Sequence, residues 1–388
     1  MSANVVVVGA GYAGAGAIKS FEDEIDEGEA ELTWISEHDY HLVLHETHRV
    51  IRNPEVESKV AIPVDEIKSP STNFIRDRVT NVNTDERTLE LQDGDPVDYD
   101  YLLLAVGSST AFFGIDGLEE HALTLKSLDD AREIHEAVRT AGEEATQSEP
   151  AQVLVGGAGL SGIQIAGEIA GYRDDTRAPI DIKLIEGLDE IFPGNDPEVQ
   201  GALRKRLLDR DIEIFTGDFI SEVTDELVYL GEDESMPYDV LVWAGGITGR
   251  ETVANSDLDK DERSKRVHAE SDFQTSNDRV FAIGDTALID QGDDEQAPPT
   301  AEAAWTAAEV AGENLVRALR GAPLKSWQHK DKGTAISVGE DAVVHDVIGI
   351  PVNTFGGVAA RTLKKAIAAR WIAEVSSTKR AISAWSDM

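Results

Sequence analysis

Residues 4–14 read NVVVVGAGYAG: four consecutive valines, then glycines at positions 9, 11 and 14. The β-branched run predicts a short strand over Asn4–Val8, and the residues through Phe21 permit a helix. Glycines in the spacing G-x-G-x-x-G between a strand and a helix have a definite use. They allow a tight turn, let backbone amides reach a pyrophosphate, and let the helix pack closely on the sheet. Glu37 ends the next strand (TWISE, 33–37), 23 residues beyond Gly14. A carboxylate there can accept from both hydroxyls of an adenosine ribose.

The same arrangement recurs downstream. Gln152–Val155 predicts a strand, Gly157, Gly159 and Gly162 follow in GGAGLSG, and Ile163–Ile169 is apolar and helix-compatible. Glu186 ends the next strand (DIKLIE, 181–186). An acid at that point repels a 2′-phosphate, and Gly187 and Leu188 offer no cation, so NADH is favoured over NADPH.

Working outward, Asn73–Asn81 and Arg87–Leu91 read as a β-hairpin with turn residues at Asn83–Glu86. Tyr101–Ala105 reads as a buried strand ending at Gly107, Leu128–Ala141 as a helix and Ala141–Pro150 as a polar linker. A helix over Pro197–Arg210 and a hairpin around Glu222–Leu230 come next. Val240–Ala244 repeats the YLLLA pattern before Gly245–Gly246, and Val280–Ile283 is a last buried strand before Asp285. Thr300 is placed to cap a long helix to about Leu319. The order predicts an α/β protein: two Rossmann-type dinucleotide-binding domains with antiparallel β-hairpin inserts and a small C-terminal α+β extension. The expected division is 1–118 with 248–322 for FAD, 119–247 for NADH, and 323–388 as the C-terminal region.

The net charge is −39, from 35 Lys+Arg and 74 Asp+Glu. Such a surface repels nucleic acid and repels itself in dilute buffer. At molar salt the Debye length falls to about 3 Å and the self-repulsion is screened, which points to a salt-rich, halophilic cytoplasm. Cysteine is absent, which excludes disulfides, thiolate metal sites and dithiol relays. The opening MSANVVVVGAG has no basic n-region, and no apolar stretch reaches membrane-spanning length; residence in the cytoplasm is expected.

His38, His41, His45 and His48 fall at spacings that place several of them on one helical face. No carboxylate pattern completes a ligand set, so a polar surface or flavin-edge segment is expected and no metal. From Val358 to Met388 the charge reverses: six basic residues against Glu374 and Asp387, a local net of +4. Leu363, Ile367, Trp371 and Val375 recur at i+4, with Arg361, Lys364 and Lys365 beside or opposite them. This predicts a basic amphipathic helix in a membrane interface, with Trp371 and Trp385 as anchors. The alternatives are a helix packed on the acidic body or a homodimer contact.

With these motifs in view, the chain resembles the two-dinucleotide-binding flavoproteins, and most closely type II NADH:quinone oxidoreductases, along nearly its whole length. YLLLAVGSS resembles the family's first crossover between domains, KSLDDA (126–131) its entry into the NADH domain, and WAGG (243–246) its second crossover. VFAIGDTA (280–287) resembles the second FAD fingerprint, in which the acid matching Asp285 binds the ribitol chain. PPTAEAA (298–304) resembles the helix whose start faces the flavin ring. On that resemblance FAD is held by Gly9, Gly11, Gly14, Glu37, Gly107, Asp285 and Ala301, and NADH by Gly157, Gly159, Gly162, Glu186 and Gly245. The free amides of Ala301, Glu302 and Ala303 would stabilise negative charge on reduced flavin. Two departures stand out. Gln164 replaces the family's usual Glu, altering a polar contact near the nicotinamide, and Glu302 and Thr306 stand where glutamines usually mark the quinone site. Glu302 is then the nearest candidate proton donor to quinone.

The resemblance implies hydride transfer from NADH to FAD and two electrons onward to a membrane quinone, without proton pumping, by an enzyme peripheral on the inner face of the cell membrane. The rivals are a soluble NADH reductase of a ferredoxin or small-molecule acceptor, and a redox-sensing NADH-binding flavoprotein. Sulfide:quinone oxidoreductases share the architecture but need cysteines.

Overall fold

A computed structural model describes residues 2–231 and 234–388. The chain opens with β1 (Ala3–Val8) and α1 (Tyr12–Glu24), then β2 (Ala30–Ser36), β3 (Asn73–Arg76) and β4 (Tyr101–Leu104). It continues through α2 (Leu128–Glu144), β5 (Ala151–Gly156), α3 (Leu160–Thr176), β6 (Ile180–Glu186), α4 (Pro197–Leu208), β7 (Ile212–Thr216) and β8 (Val240–Trp243). It returns with β9 (Val280–Ala282) and α5 (Ala301–Leu319). The last elements are β10 (Thr334–Val338), β11 (Asp341–His345), β12 (Thr354–Gly356), α6 (Gly357–Val375) and α7 (Thr378–Ala384).

Two parallel sheets organise these elements. One has the order β9-β4-β1-β2-β3 and the other β7-β6-β5-β8. Val5, Val7 and Leu102–Leu104 are fully buried, as are Val153 and Val155. Continuous apolar runs of this kind belong to strands covered on both faces. β4 and β9 pair side by side although they are far apart in sequence; the chain leaves the first sheet, builds the second and comes back. The two crossovers hydrogen-bond to each other as an antiparallel pair, Ser108–Thr110 with Ile247–Gly249. Three-stranded antiparallel inserts flank both sheets: Val79–Asn83 with Thr88–Leu91 and Val97–Asp98, and Ile220–Val223 with Leu227–Leu230 and Glu234–Pro237. A third antiparallel sheet, β10–β11–β12, precedes the two C-terminal helices.

Local chemistry sets several boundaries. Ser127 and Asp130 form a reciprocal capping box on α2, and Asp196 with Pro197 starts α4. α1 and α5 approach closely because small residues face each other. A Cβ on Gly16 would stand 2.7 Å from that of Ala308, and one on Gly312 would stand 2.6 Å from the Ala17 carbonyl.

The expected hairpin over Asn73–Asn81 and Arg87–Leu91 is corrected. Asn73–Arg76 joins the first sheet parallel to β2, and only Val79–Asn83 pairs with Thr88–Leu91. The apolar alternation runs through both strands, while the polar Arg76-Asp77-Arg78 step is where the chain changes sheets. The linker is also shorter than expected, since α2 runs on to Glu144.

Candidate functional site

The first glycine turn is built by close approach. Gly9 has φ +109°, and a Cβ there would lie 2.2 Å from the Ala105 carbonyl oxygen at the end of β4. A Cβ on Gly14 would lie 1.9 Å from the Gly9 carbonyl. Gly11 instead faces open space, with nothing within 4 Å of its Cβ position. Backbone therefore packs tightly under the turn and stays bare above it, which is the shape a pyrophosphate requires at a helix start. A cleft of about 190 Å³ opens there and brings together Gly9, Gly11, Glu37, Gly107 and Asp285; Gly14 lies beneath the turn.

The carboxylates of this cleft are placed by neighbours, of which Arg78, Arg250 and Arg266 lie outside the quoted motifs. Glu37 at the end of β2 faces Arg250 at 3.3 Å and Arg78 at 3.4 Å. Asp285 accepts from Ser108 Oγ at 3.0 Å, and Lys126 Nζ donates to the same hydroxyl at 3.2 Å. Burial lowers the Lys126 pKa, and the charge of Asp285 opposes that fall. Arg266 anchors the Asp285 and Ala287 carbonyls at 2.8 and 2.6 Å. The Gly107 amide donates to Thr286 Oγ1 at 2.9 Å.

The second turn repeats the construction. A Cβ on Gly157 (φ +91°) would lie 2.8 Å from Gly245, one on Gly162 would lie 1.8 Å from the Gly157 carbonyl, and Gly159 is open. Gly245 must also be bare, because its Cβ would fall 2.1 Å from the Trp243 ring. Glu186 is almost wholly buried and accepts from the Ala158 amide at 2.8 Å and the Leu188 amide at 3.1 Å. Its carboxylate thus fastens the glycine turn to the strand end and keeps negative charge beside it.

Four expected positions, Ala301, Glu302, Ala303 and Gln164, are arranged differently from the reading of the motifs. Thr300 caps α5 by accepting from the Ala303 amide at 3.2 Å, so only Ala301 and Glu302 keep free amides at the helix start. The Glu302 carboxylate pairs with Lys332 at 3.3 Å, and neither Ala301 nor Glu302 lines the cleft. The Gln164 side chain is buried and donates to Ser337 Oγ at 3.1 Å, beside His48.

The histidines do not share a helical face. His41 is on the short strand Tyr40–Leu42, His45 in the turn Leu44–Glu46, and His48 just before a four-residue helix. His38 stacks on Tyr40 with ring centroids 5.0 Å apart. His41 donates from Nδ1 to the Ala10 carbonyl and accepts from the Trp371 indole, both at 2.8 Å. His45 Nδ1 meets the Tyr12 hydroxyl. Burial pushes the pKa values of His41 and His45 down to about 4. His48 Nε2 bonds Ser337 Oγ at 2.9 Å.

The C-terminal helix is corrected too. Trp371 is 1% exposed and packs inside the protein, so it is not a membrane anchor. Lys364 is 3% exposed and its ammonium lies 2.5 Å from Glu46 Oε1. The buried face of α6 is Ala360, Lys364, Ala368, Trp371, Ile372 and Val375, while Ile367 stays exposed. Small alanines let this face come close to the body, whereas the sequence reading followed the larger aliphatic residues. Glu46, Arg49, Glu168 and Lys364 form a buried ionic cluster that the motifs did not reveal. The available signal was a lysine set within an alanine stripe at i, i+4 spacing.

Comparison with known proteins places this geometry. A type II NADH:quinone oxidoreductase of Staphylococcus aureus (strain NCTC 8325 / PS 47) is 28% identical, with 96% of this chain and 95% of the relative covered. The solved structure of NDH2 from Plasmodium falciparum in complex with NADH superposes with a TM-score of 0.83 at 16% identity, covering 99% of this chain and 98% of the other. The sulfide:quinone oxidoreductase from Aquifex aeolicus gives a TM-score of 0.80 at 19% identity, covering 98% and 92%; at these identities both likenesses concern the fold. The family model for pyridine nucleotide-disulphide oxidoreductases matches residues 3–308, a span that holds both glycine cradles. The chain therefore belongs to the pyridine nucleotide-disulphide oxidoreductase family, as a member with no cysteine from which a disulphide could form.

Proposed function

We propose that this protein is an FAD-dependent NADH:quinone oxidoreductase that transfers electrons without pumping protons. The observation that carries the reading is the duplicated cradle: two glycine turns, each bare above and closed beneath, and each followed by a strand with a carboxylate at its end, Glu37 directly after the first and Glu186 closing the second. The 28% identity to a type II NADH:quinone oxidoreductase over 96% of the chain supports the choice of substrates. Residues 1–118 and 248–322 form the FAD-binding part, 119–247 the NADH-binding part and 323–388 the C-terminal region.

FAD held at the first cradle would supply the chemistry by which a hydride from NADH becomes two electrons for a quinone. The chain's own residues bind and orient. Amides at Gly9–Gly14 receive the pyrophosphate, Glu37 the ribose and Asp285 the ribitol hydroxyls, with Gly107 leaving room beside them. The free amides of Ala301 and Glu302 provide a positive helix end. Gly157, Gly159, Gly162 and Gly245 receive NADH, and the charge of Glu186 disfavours a 2′-phosphate. Positioning and exclusion of water carry the hydride step, which needs no protein acid or base. Gln164 and Glu302 act at most as polar neighbours of the reacting groups, since each is engaged with another side chain.

No helix among the described residues is long and apolar enough to cross a membrane. We place the protein as a peripheral enzyme on the inner face of the cell membrane, in a salt-rich cytoplasm. The direct test is the absorption spectrum of the purified protein. It should show bound flavin that anaerobic NADH bleaches and added quinone restores. A colourless protein that does not take up FAD would refute the assignment.

A further inference from the structure

A continuous line of buried polar atoms joins the dinucleotide cleft to a second cavity at the other end of the cluster. Tyr12 lines the cleft, and its hydroxyl meets His45 Nδ1. His45 Nε2 has no hydrogen-bond partner and faces Glu46 Oε1 at 3.5 Å. The same Glu46 oxygen is 2.5 Å from Lys364 Nζ. Lys364 lines a polar cavity of about 470 Å³ that also receives Arg49, Glu168 and the chain end at Met388. We propose that Tyr12, His45, Glu46 and Lys364 form a proton relay that carries a proton from this outer cavity into the dinucleotide cleft.

The need for such a path follows from the NADH:quinone reading, on which the inference rests. A quinone becomes a quinol by gaining two electrons and two protons. Hydride from NADH accounts for both electrons and one proton, so the second proton is taken from the medium.

The groups are suited to passing a proton on. Burial lowers the Lys364 pKa despite the adjacent Glu46 charge, so its ammonium can release a proton. Burial raises Glu46, but Lys364 and Arg49 outweigh this and hold it ionised, so it keeps a proton only briefly. His45 is neutral, and a neutral imidazole accepts at one nitrogen while donating from the other. Tyr12 stays protonated because burial and then the Glu46 charge raise its pKa. The flanking charged and titratable groups are His41, His48 and Arg49 from the same loop, Glu168 from α3 and Lys365 from α6. With the His45 proton on Nδ1, directed to Tyr12 Oη, the tyrosine hydroxyl is free to point into the cleft. One transfer moves protons from Tyr12 to the acceptor bound in the cleft, from His45 Nδ1 to Tyr12, from Glu46 to His45 Nε2 and from Lys364 to Glu46; the cavity then restores Lys364, and return of the His45 proton from Nε2 to Nδ1 resets the line for the next transfer. An ion pair serving packing alone would be replaceable by apolar residues, because burying its two charges costs several kcal/mol.

The test uses the full-length, FAD-loaded protein in rapid mixing. Tyr12→Phe keeps the ring but removes the hydroxyl, and Glu46→Gln removes the carrier. Each should slow reoxidation by quinone at least about ten-fold more than it slows flavin reduction by NADH, with a larger solvent deuterium isotope effect on reoxidation. Unchanged reoxidation in Tyr12→Phe, or an equal loss in both half-reactions, would overturn the relay. Histidine nitrogen NMR, assigned with His45→Gln, should find the His45 proton on Nδ1; a proton on Nε2 would also overturn it. A reduced wild-type protein that quinone fails to reoxidise would refute the NADH:quinone reading instead, and the NMR result would then decide the relay.

Discussion

Trp371 stacks on Tyr12, with ring centroids 4.5 Å apart and planes inclined by 25°. Tyr12 opens the helix of the first glycine turn, so a residue 17 positions from the chain end forms part of the wall behind the dinucleotide cleft. The Trp371 indole also donates to His41, which in turn holds the Ala10 carbonyl inside the turn. Trp371→Ala would leave a large cavity and an unpartnered His41 Nε2, costing about 3–5 kcal/mol. Denaturant unfolding should report the loss, and limited proteolysis should show early cleavage within α6. A variant as stable as wild type would mean that the helix is not packed as described.

The duplicated cradles predict separable losses. Gly14→Ala drives a Cβ against the Gly9 carbonyl and Gly162→Ala drives one against the Gly157 carbonyl. Gly14→Ala should purify with little FAD. Gly162→Ala should keep its yellow colour and spectrum but bind NADH at least about ten-fold more weakly, a loss of roughly 1.4 kcal/mol. Loss of flavin from Gly162→Ala would reverse the assignment of the two cradles.

His41 gives stability a definite pH slope. It is fully buried, and burial pushes its pKa down to about 4 against the opposing hydrogen bonds of the Ala10 and Gly11 backbone. In the unfolded chain it titrates near 6.5. Between these values the unfolded state binds more protons, so stability rises with pH across the window and falls as the medium is acidified from about 6.5 toward 4. Glu46, whose pKa is held below the usual carboxylate range, contributes in the same direction at still lower pH. Denaturant midpoints measured from pH 7 to pH 4 should drop steeply in wild type and more gently in His41→Gln, whose amide can keep both hydrogen bonds. Equal slopes would show that His41 is not the group responsible.

A net charge of −39 sets a salt requirement. At about 0.1 M salt the Debye length is about 10 Å and neighbouring surface acids repel one another, whereas near 1 M it is about 3 Å. The thermal midpoint should therefore rise by more than about 5 °C between about 0.1 M and 2 M KCl. A flat response would remove the argument for a salt-rich cytoplasm.

How much of this was legible in the sequence depends on where the determining contact lies. The glycine turns could be read because backbone approach at Gly9, Gly14, Gly157 and Gly162 excludes every side chain locally. The Thr300 cap could be read because capping acts within three residues. The pairing of Lys364 with Glu46 could not, since the partners are 318 positions apart and neither carries a local signature. The face of α6 was misjudged for a related reason: close packing selected Ala360 and Ala368 over Leu363 and Ile367, and an alanine gives no apolar signal of its own. Glu37 and Asp285 were read from motifs and line one cleft, but of the cations beside them only Lys126 falls in a quoted motif, KSLDDA; Arg78 and Arg250 lie outside every motif.

Membrane attachment, if it uses the C-terminal end, must use what the fold leaves outside. Trp371 and Lys364 are internal, so deleting the chain from Val358 would remove part of the core and report on folding as much as on lipid. Ile382 is 72% exposed and Trp385 39% exposed, beside the exposed Lys379. Inserting apolar side chains of this size contributes about 1.5–3 kcal/mol each, and at molar salt that contribution outlasts the screened attraction of Lys379 for anionic lipid. Ile382→Asp combined with Trp385→Ser should therefore abolish co-sedimentation with anionic phospholipid vesicles in about 2 M KCl, with the thermal midpoint unchanged because neither side chain belongs to the core. Equal sedimentation of the double variant and wild type would show that this end of the chain does not attach the protein to lipid.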